Sequence, residues 1–162
     1  MRVIFLDFDG VLNSVRWHVA RRESGADMHE GRGARPCLDP EAVKVLNGIV
    51  GSYHDAVVVV TSTWRIGTPR AKLAGWLRDA GFTGIVFGAT PRFPGQPRGK
   101  EIQDWLDFFA QHPSRRLGPV THFVILDDDT DMLDLYPKLV HIDDEAGLTD
   151  KYLLAIMTHL EG

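Results

Sequence analysis

Apolar and polar positions along the 162-residue chain fall into short blocks of two kinds. Val3-Ile4-Phe5-Leu6 is a continuous apolar run, the mark of a strand covered on both faces. Ala56 to Val60 repeats the pattern, and Gly84 to Phe87, Thr121 to Leu126 and a weaker Leu139 to Ile142 read as three further strands. Between these runs apolar residues recur at helical spacing. Asp39 suits an N-cap and Pro40 a first helical position, with Val43, Leu46 and Ile49-Val50 following. Pro69 to Ala80 carries Leu73, Trp76 and Leu77 on one face and stops at Gly81; Lys100 to Ala110 carries Ile102, Trp105, Leu106 and Phe109. Thr149 is expected to cap a last helix that runs through Leu160. Alternation of strand and helix predicts an α/β fold around a largely parallel, five-stranded sheet. Residues 13 to 37 break the pattern with glycines, charges and no clear period, and predict a long loop or small flap.

Composition narrows the class. The length suits one domain with one sizeable core, and 44% hydrophobic with 25% charged residues is ordinary for a soluble globular protein. A net charge of -4 predicts no strong general attraction to nucleic acid or anionic membrane, and leaves room for a local basic surface. Cys37 is the only cysteine, so no intrachain disulfide can form, which fits a reducing compartment. The first apolar run is too short for a signal peptide, and no run reaches the roughly 18 residues of a membrane helix. A cytoplasmic location is the expectation.

In a parallel sheet, ligands bind beyond the carboxyl ends of the strands, so the residues there carry the chemistry. The first strand ends in Asp7-Phe8-Asp9-Gly10, the second in Thr61-Ser62-Thr63, and the fourth in Asp127-Asp128-Asp129, with Asp131 close behind. Lys100 opens the helix before the fourth strand, and Arg98 is its close rival. Clustered carboxylates repel one another, and a hard divalent cation such as Mg²⁺ resolves the repulsion while accepting phosphate oxygens as further ligands. Hydroxyls at Thr61 and Ser62, and a lysine charge, suit a phosphoryl group, although Thr61-Ser62-Thr63 could also cap the following segment. Phosphoryl transfer is the implied chemistry. Of two carboxylates in Asp-x-Asp, one can attack phosphorus and the other can protonate the leaving oxygen. Strand spacing puts Asp7 and Asp9 on one face with Phe8 turned into packing, and Gly10 permits a sharp turn.

Assembled in this order, the residues resemble the haloacid dehalogenase superfamily of phosphohydrolases. Asp7-Phe8-Asp9-Gly10-Val11-Leu12 is similar to its first signature, Thr61 to its second, Lys100 to its third, and Asp127 with Asp128 (or Asp131) to its fourth. The stretches Val60 to Arg65 and Ile125 to Met132 look most like the small phosphatase-type domains associated with RNA-repair proteins. The resemblance implies a Rossmann-like three-layer sandwich with a minimal cap or none. It implies that Asp7 is the nucleophile and Asp9 the acid/base, passing through an aspartyl-phosphate. Mg²⁺ would be held by Asp7, the Asp9 carbonyl, Asp127 and Asp128, and the phosphoryl by Thr61 and Lys100.

Too few residues lie between the signatures for a full cap, so an open site is expected, able to admit a polynucleotide end or a phosphoprotein. The 13 to 37 segment mixes Arg16, Arg21, Arg22, Arg32 and Arg35 with Trp17, and Trp64-Arg65 follows the second signature. Cations beside aromatics suit single-stranded nucleic acid, while a solvated loop with Trp17 packed down is the plainer alternative. Asn13, Trp17, Trp64 and Arg65 are therefore candidate substrate contacts, Asn13 being equally suited to capping a turn. Asp143-Asp144-Glu145 reads as solvated surface, and His18, His29, His54 and His141 have no metal-ligand spacing. The expectation is a Mg²⁺-dependent phosphomonoesterase for nucleic-acid ends or nucleotides. The alternatives are a phosphoacceptor signalling domain or a catalytically idle phosphate-binding module.

Overall fold

The computed structural model describes residues 1–25 and 35–162. Its regular elements are β1 (Arg2–Leu6), α1 (Val15–Glu23), α2 (Pro40–Gly51), β2 (Ala56–Val60), α3 (Arg70–Asp79), β3 (Val86–Ala89), α4 (Arg98–Gln111), β4 (His122–Asp127), β5 (Leu139–His141) and α5 (Leu153–Glu161). The strands form one parallel sheet in the order β3-β2-β1-β4-β5. The chain builds outward from β1 to β3, then returns to the other side of β1 for β4. That reversal makes the carboxyl ends of β1 and β4 the crevice where such sheets bind ligands.

Period-two alternation along the central strands divides the core into two layers. Ile4, Leu6, Val58, Val60, Val124 and Leu126 face a cluster built with Leu46 of α2, Leu73 and Leu77 of α3, and Ile156 and Leu160 of α5. Val3, Phe5, Val57, Val59 and Ile125 face the other way, against Ile102 and Trp105 of α4. Here Trp105 meets Phe5 edge-on at 5.3 Å and stacks on Phe109 at 4.1 Å between centroids. The result is the three-layer α/β sandwich with five strands. Among the described residues, no helix is long and apolar enough to cross a membrane.

The structure departs from the hydrophobic pattern in three places. Residues 15 to 23, expected as loop, are helix α1, capped by Ser14, whose Oγ accepts from Trp17 N at 3.1 Å. No residue of α1 is buried, so burial imposed no periodicity on its sequence. Of the residues singled out in that segment, His29 and Arg32 lie outside the described residues. The third strand starts at Val86 instead of Gly84, where pairing with β2 slips between Val58 and Val59. Thr149 precedes a short 3₁₀ turn over Asp150–Tyr152 without a side-chain cap, and α5 begins only at Leu153.

At the amino end of the sheet, Arg2 Nη1 binds Asp55 Oδ1 at 2.6 Å. Burial pushes the Asp55 carboxyl up, but the hydrogen bond and charge of Arg2 outweigh it and hold the pKa below its ordinary 3.8. A carboxyl lowered on folding stabilises above its unfolded pKa, and the benefit disappears as pH falls through the folded value. Asp55→Asn is therefore expected to cost up to about 1 kcal/mol at neutral pH. Urea titrations should show the two proteins converging below pH 3.8.

Candidate active site

Register brings the candidate residues together. Leu6 lies opposite Val60 on one side and Leu126 on the other, so the next residues, Asp7, Thr61 and Asp127, stand level at the crevice. Backbone bonds extend this ladder past the strand ends: Asp7 N donates to Leu126 O at 3.0 Å, and Thr61 N to Leu6 O at 2.9 Å. Asp7, Asp127 and Asp128 each offer a carboxylate oxygen, and these oxygens lie within 4.8 Å of one another. Asp7 and Asp127 are buried, at 5% and 0% exposure.

Three carboxylates this close in a dry site need a counter-charge. Within the chain it comes from Arg98, whose Nη1 bridges Asp7 Oδ2 and, at 2.5 Å, Asp127 Oδ2. One guanidinium does not balance three acids. Burial, with the charge of Asp7 added, pushes the Asp127 carboxyl up to about 7 despite Arg98. Burial and Asp7 also raise Asp128. The donor set is all hard oxygen, and its residual negative charge fits Mg²⁺.

Arg98, and not Lys100, is the cation at this cluster. The helical period that buries Ile102 and Trp105 places Arg98 and Glu101 on the same face of α4 and turns Lys100 outward. Lys100 Nζ binds Asp104 Oδ1 at 2.5 Å on the exposed face, so the structure does not bring Lys100 to the site. The alternative acid Asp131 is likewise elsewhere: its Oδ2 accepts from Arg98 N at 2.9 Å and serves the start of α4, which Pro97 cannot cap.

Asp9 is held apart from the carboxylate group. Asn13 Nδ2 donates to Asp9 Oδ1 at 2.7 Å, and Trp64 Nε1 donates to Asp9 Oδ2 at 3.0 Å. The strand has ended by then, because Phe8 O accepts from both Val11 N and Leu12 N in a turn that buries Phe8 completely. Asn13 is 4% exposed and its Oδ1 accepts from Gly10 N at 3.0 Å, so it closes this turn; it is not a free substrate contact. Gly10 sits at φ +74°, and a Cβ there would come within 2.4 Å of Asp128 Cγ. A cavity of about 260 Å³ opens beside Asp9, Asn13, His18, Asp128 and Asp144.

The second loop is organised from within. Ser62 Oγ accepts from Trp64 N at 3.4 Å and caps the 3₁₀ turn Thr63–Arg65, whereas the buried Thr61 Oγ1 has no partner among the described residues. Arg65 points inward, 7% exposed, and so is not a substrate contact. It donates to the carbonyls of Thr61, Ser62 (2.9 Å), Thr90 (3.0 Å) and Pro91 (3.0 Å). Its remaining bond goes to Glu101 Oε2 at 2.5 Å. Glu101 Oε1 in turn accepts from Arg92 Nη1 and Phe93 N. This buried pair ties the ends of β2 and β3 to the helical turn that carries Arg98. Glu101 was missed in the sequence, yet its four-residue spacing from Trp105 marks an acid on a buried face. Trp17 lies outside the carboxylate cavity, its Nε1 donating to Cys37 O at 3.1 Å.

Gly10→Ala is expected to displace Asp128 and to strain the turn by about 1–2 kcal/mol, the cost of a left-handed backbone with a Cβ. Calorimetric Mg²⁺ binding should weaken at least tenfold while far-ultraviolet circular dichroism is preserved.

No curated protein and no solved structure matches the chain. A family model, described as the HAD domain in Swiss Army Knife RNA repair proteins, matches residues 3–153. That span runs from the first strand through the acid-bearing tips of β1 and β4 to the start of α5. The chain therefore belongs to this family of HAD domains.

Proposed function

We propose that the protein is a Mg²⁺-dependent phosphomonoesterase that acts through an aspartyl-phosphate on phosphorylated nucleic-acid ends or nucleotides. The supporting observation is the group of Asp7, Asp127 and Asp128 at the crevice, bridged by Arg98. Mg²⁺ would be held by the three carboxylates, with the Asp9 carbonyl as the further ligand the resemblance implies. When bound, it neutralises charge on the phosphoryl oxygens and lets an anionic nucleophile approach an anionic ester.

Asp7 is the nucleophile. Oδ1 of Asp7 is fixed by Phe8 N at 2.7 Å, which holds the carboxylate plane, and Oδ2, bonded to Arg98 in this structure, is the oxygen that attacks phosphorus once Arg98 turns to the phosphoryl group. The bond from phosphorus to the ester oxygen breaks as the Asp7–phosphorus bond forms. Asp9 gives its proton to the departing oxygen and then takes one from the water that hydrolyses the aspartyl-phosphate. Its position, exposed and gripped by Asn13 and Trp64, suits a group that must meet both leaving group and water. Arg98 and the Thr61 hydroxyl, which has no partner among the described residues, receive the phosphoryl oxygens. The family's association with RNA repair favours phosphorylated nucleic acid among possible esters. The cell interior is the expected setting.

Hydrolysis of p-nitrophenyl phosphate tests these roles. Asp7→Asn should abolish turnover, and EDTA should do the same to the parent until Mg²⁺ is restored. Full activity in Asp7→Asn would overturn the reading. A second comparison separates the two candidate cations. Arg98→Ala should lower kcat by about 10²–10³-fold, the usual loss for removing one charge-stabilising donor. Lys100→Ala should stay within about twofold of the parent, because its ammonium serves Asp104 alone.

A further inference from the structure

Three of the chain's four tryptophans lie in series leading away from Asp9, and we propose that they form a docking track for single-stranded nucleic acid whose phosphorylated end sits at Asp7. This rests on the phosphomonoesterase reading above and adds to it the surface along which a single strand would lie. The series starts with Trp64, whose Nε1 binds Asp9 at 3.0 Å. Trp64 meets Trp76 of α3 edge-on, with centroids 5.7 Å apart at 83°. Trp76 then lines a groove of about 150 Å³ together with Trp17 and Arg21 of α1, Arg35, Cys37 and Asp79. The fourth tryptophan, Trp105, is buried in the core.

Each outer ring has a cation beside it. Lys72 Nζ lies 5.4 Å from the Trp76 centroid, and the Arg21 guanidinium 5.5 Å from that of Trp17. Arg35 lies along the same groove, with Asp79 at 3.8 Å. Trp64 and Trp76 pack one side against the core, yet unlike Trp105 all three rings remain partly open. The Trp17 indole N–H on Cys37 O fixes that ring in place before any ligand arrives. Indole faces with interleaved cations are what a single strand needs: bases stack, and backbone phosphates meet positive charge. A duplex has no free base faces to offer, and its bases are already stacked. With a net charge of -4, attraction for a polyanion is confined to such a local surface. The track also gives the half-buried Trp64 a second part beyond holding Asp9, since it joins the acid/base to the groove.

The test compares a phosphorylated single-stranded oligonucleotide with p-nitrophenyl phosphate on the full chain. Trp17→Ala and Lys72→Glu should each lower kcat/KM for the oligonucleotide by about 5- to 100-fold, the scale of one lost stacking or phosphate contact. Hydrolysis of the small ester should change less than twofold. Lys72 is exposed, so its substitution leaves packing intact. Equal effects on both substrates, or none on either, would overturn the track, as would a phosphopeptide used as well as the oligonucleotide and equally sensitive to both variants. Binding of an unphosphorylated oligonucleotide, followed by tryptophan fluorescence at low and high salt, judges the track apart from catalysis. Salt-sensitive quenching that is lost in Trp17→Ala supports it even if no ester is hydrolysed, and absence of quenching overturns it.

Discussion

Carboxylates at the tips of β1 and β4 repel one another in a place largely shielded from water, and the surrounding structure is arranged around that repulsion. Asp127 is fully buried, and its proton affinity is raised by burial and by the charge of Asp7. Arg98 answers part of the excess from the first turn of α4. A site left short of positive charge by the chain itself is one whose oxygen donors suit a hard cation.

Holding Arg98 there takes more than its own two contacts. Asp131 accepts its backbone N–H, and Gly99 lets α4 approach the chain at Met132, where a Cβ would lie 2.1 Å from the Met132 carbonyl oxygen. Glu101, three residues further along α4, is locked to Arg65, which also gathers the carbonyls after β2 and β3. A buried ion pair of this kind is costly to dehydrate, and its bonds to backbone carbonyls are what make the geometry unique. The loop that presents Thr61 and the helix that presents Arg98 are thereby fixed to each other.

Asp9 is held by separate means from the buried acids. Asp9 lies on the exposed side, gripped by Asn13 and by an indole N–H from the β2 loop. Gly10, with positive φ and Asp128 pressed against it, turns the chain between the buried and exposed acids. Two carboxylates two residues apart thus occupy different environments, one buried and one exposed.

Much of this was legible in the chain. Continuous apolar runs marked the buried strands, helical spacing marked α2, α3 and α4, and the acids at strand ends marked the crevice, because each signal is local and repeats with its own period. The exposed helix α1 left no such trace. What the sequence could not decide was which of two near neighbours turns toward the centre. Arg98 and Lys100 are two residues apart, about 200° around a helix of 3.6 residues per turn, so only one can face the acids. That choice follows from where α4 begins and which face packs on the sheet. The same holds for Asp128 over Asp131, and for Arg65 turning inward while Trp64 turns toward Asp9. Sequence determined the chemical inventory and the order of elements; the tertiary packing decided which members of that inventory meet, since meeting depends on long-range register that no local pattern encodes.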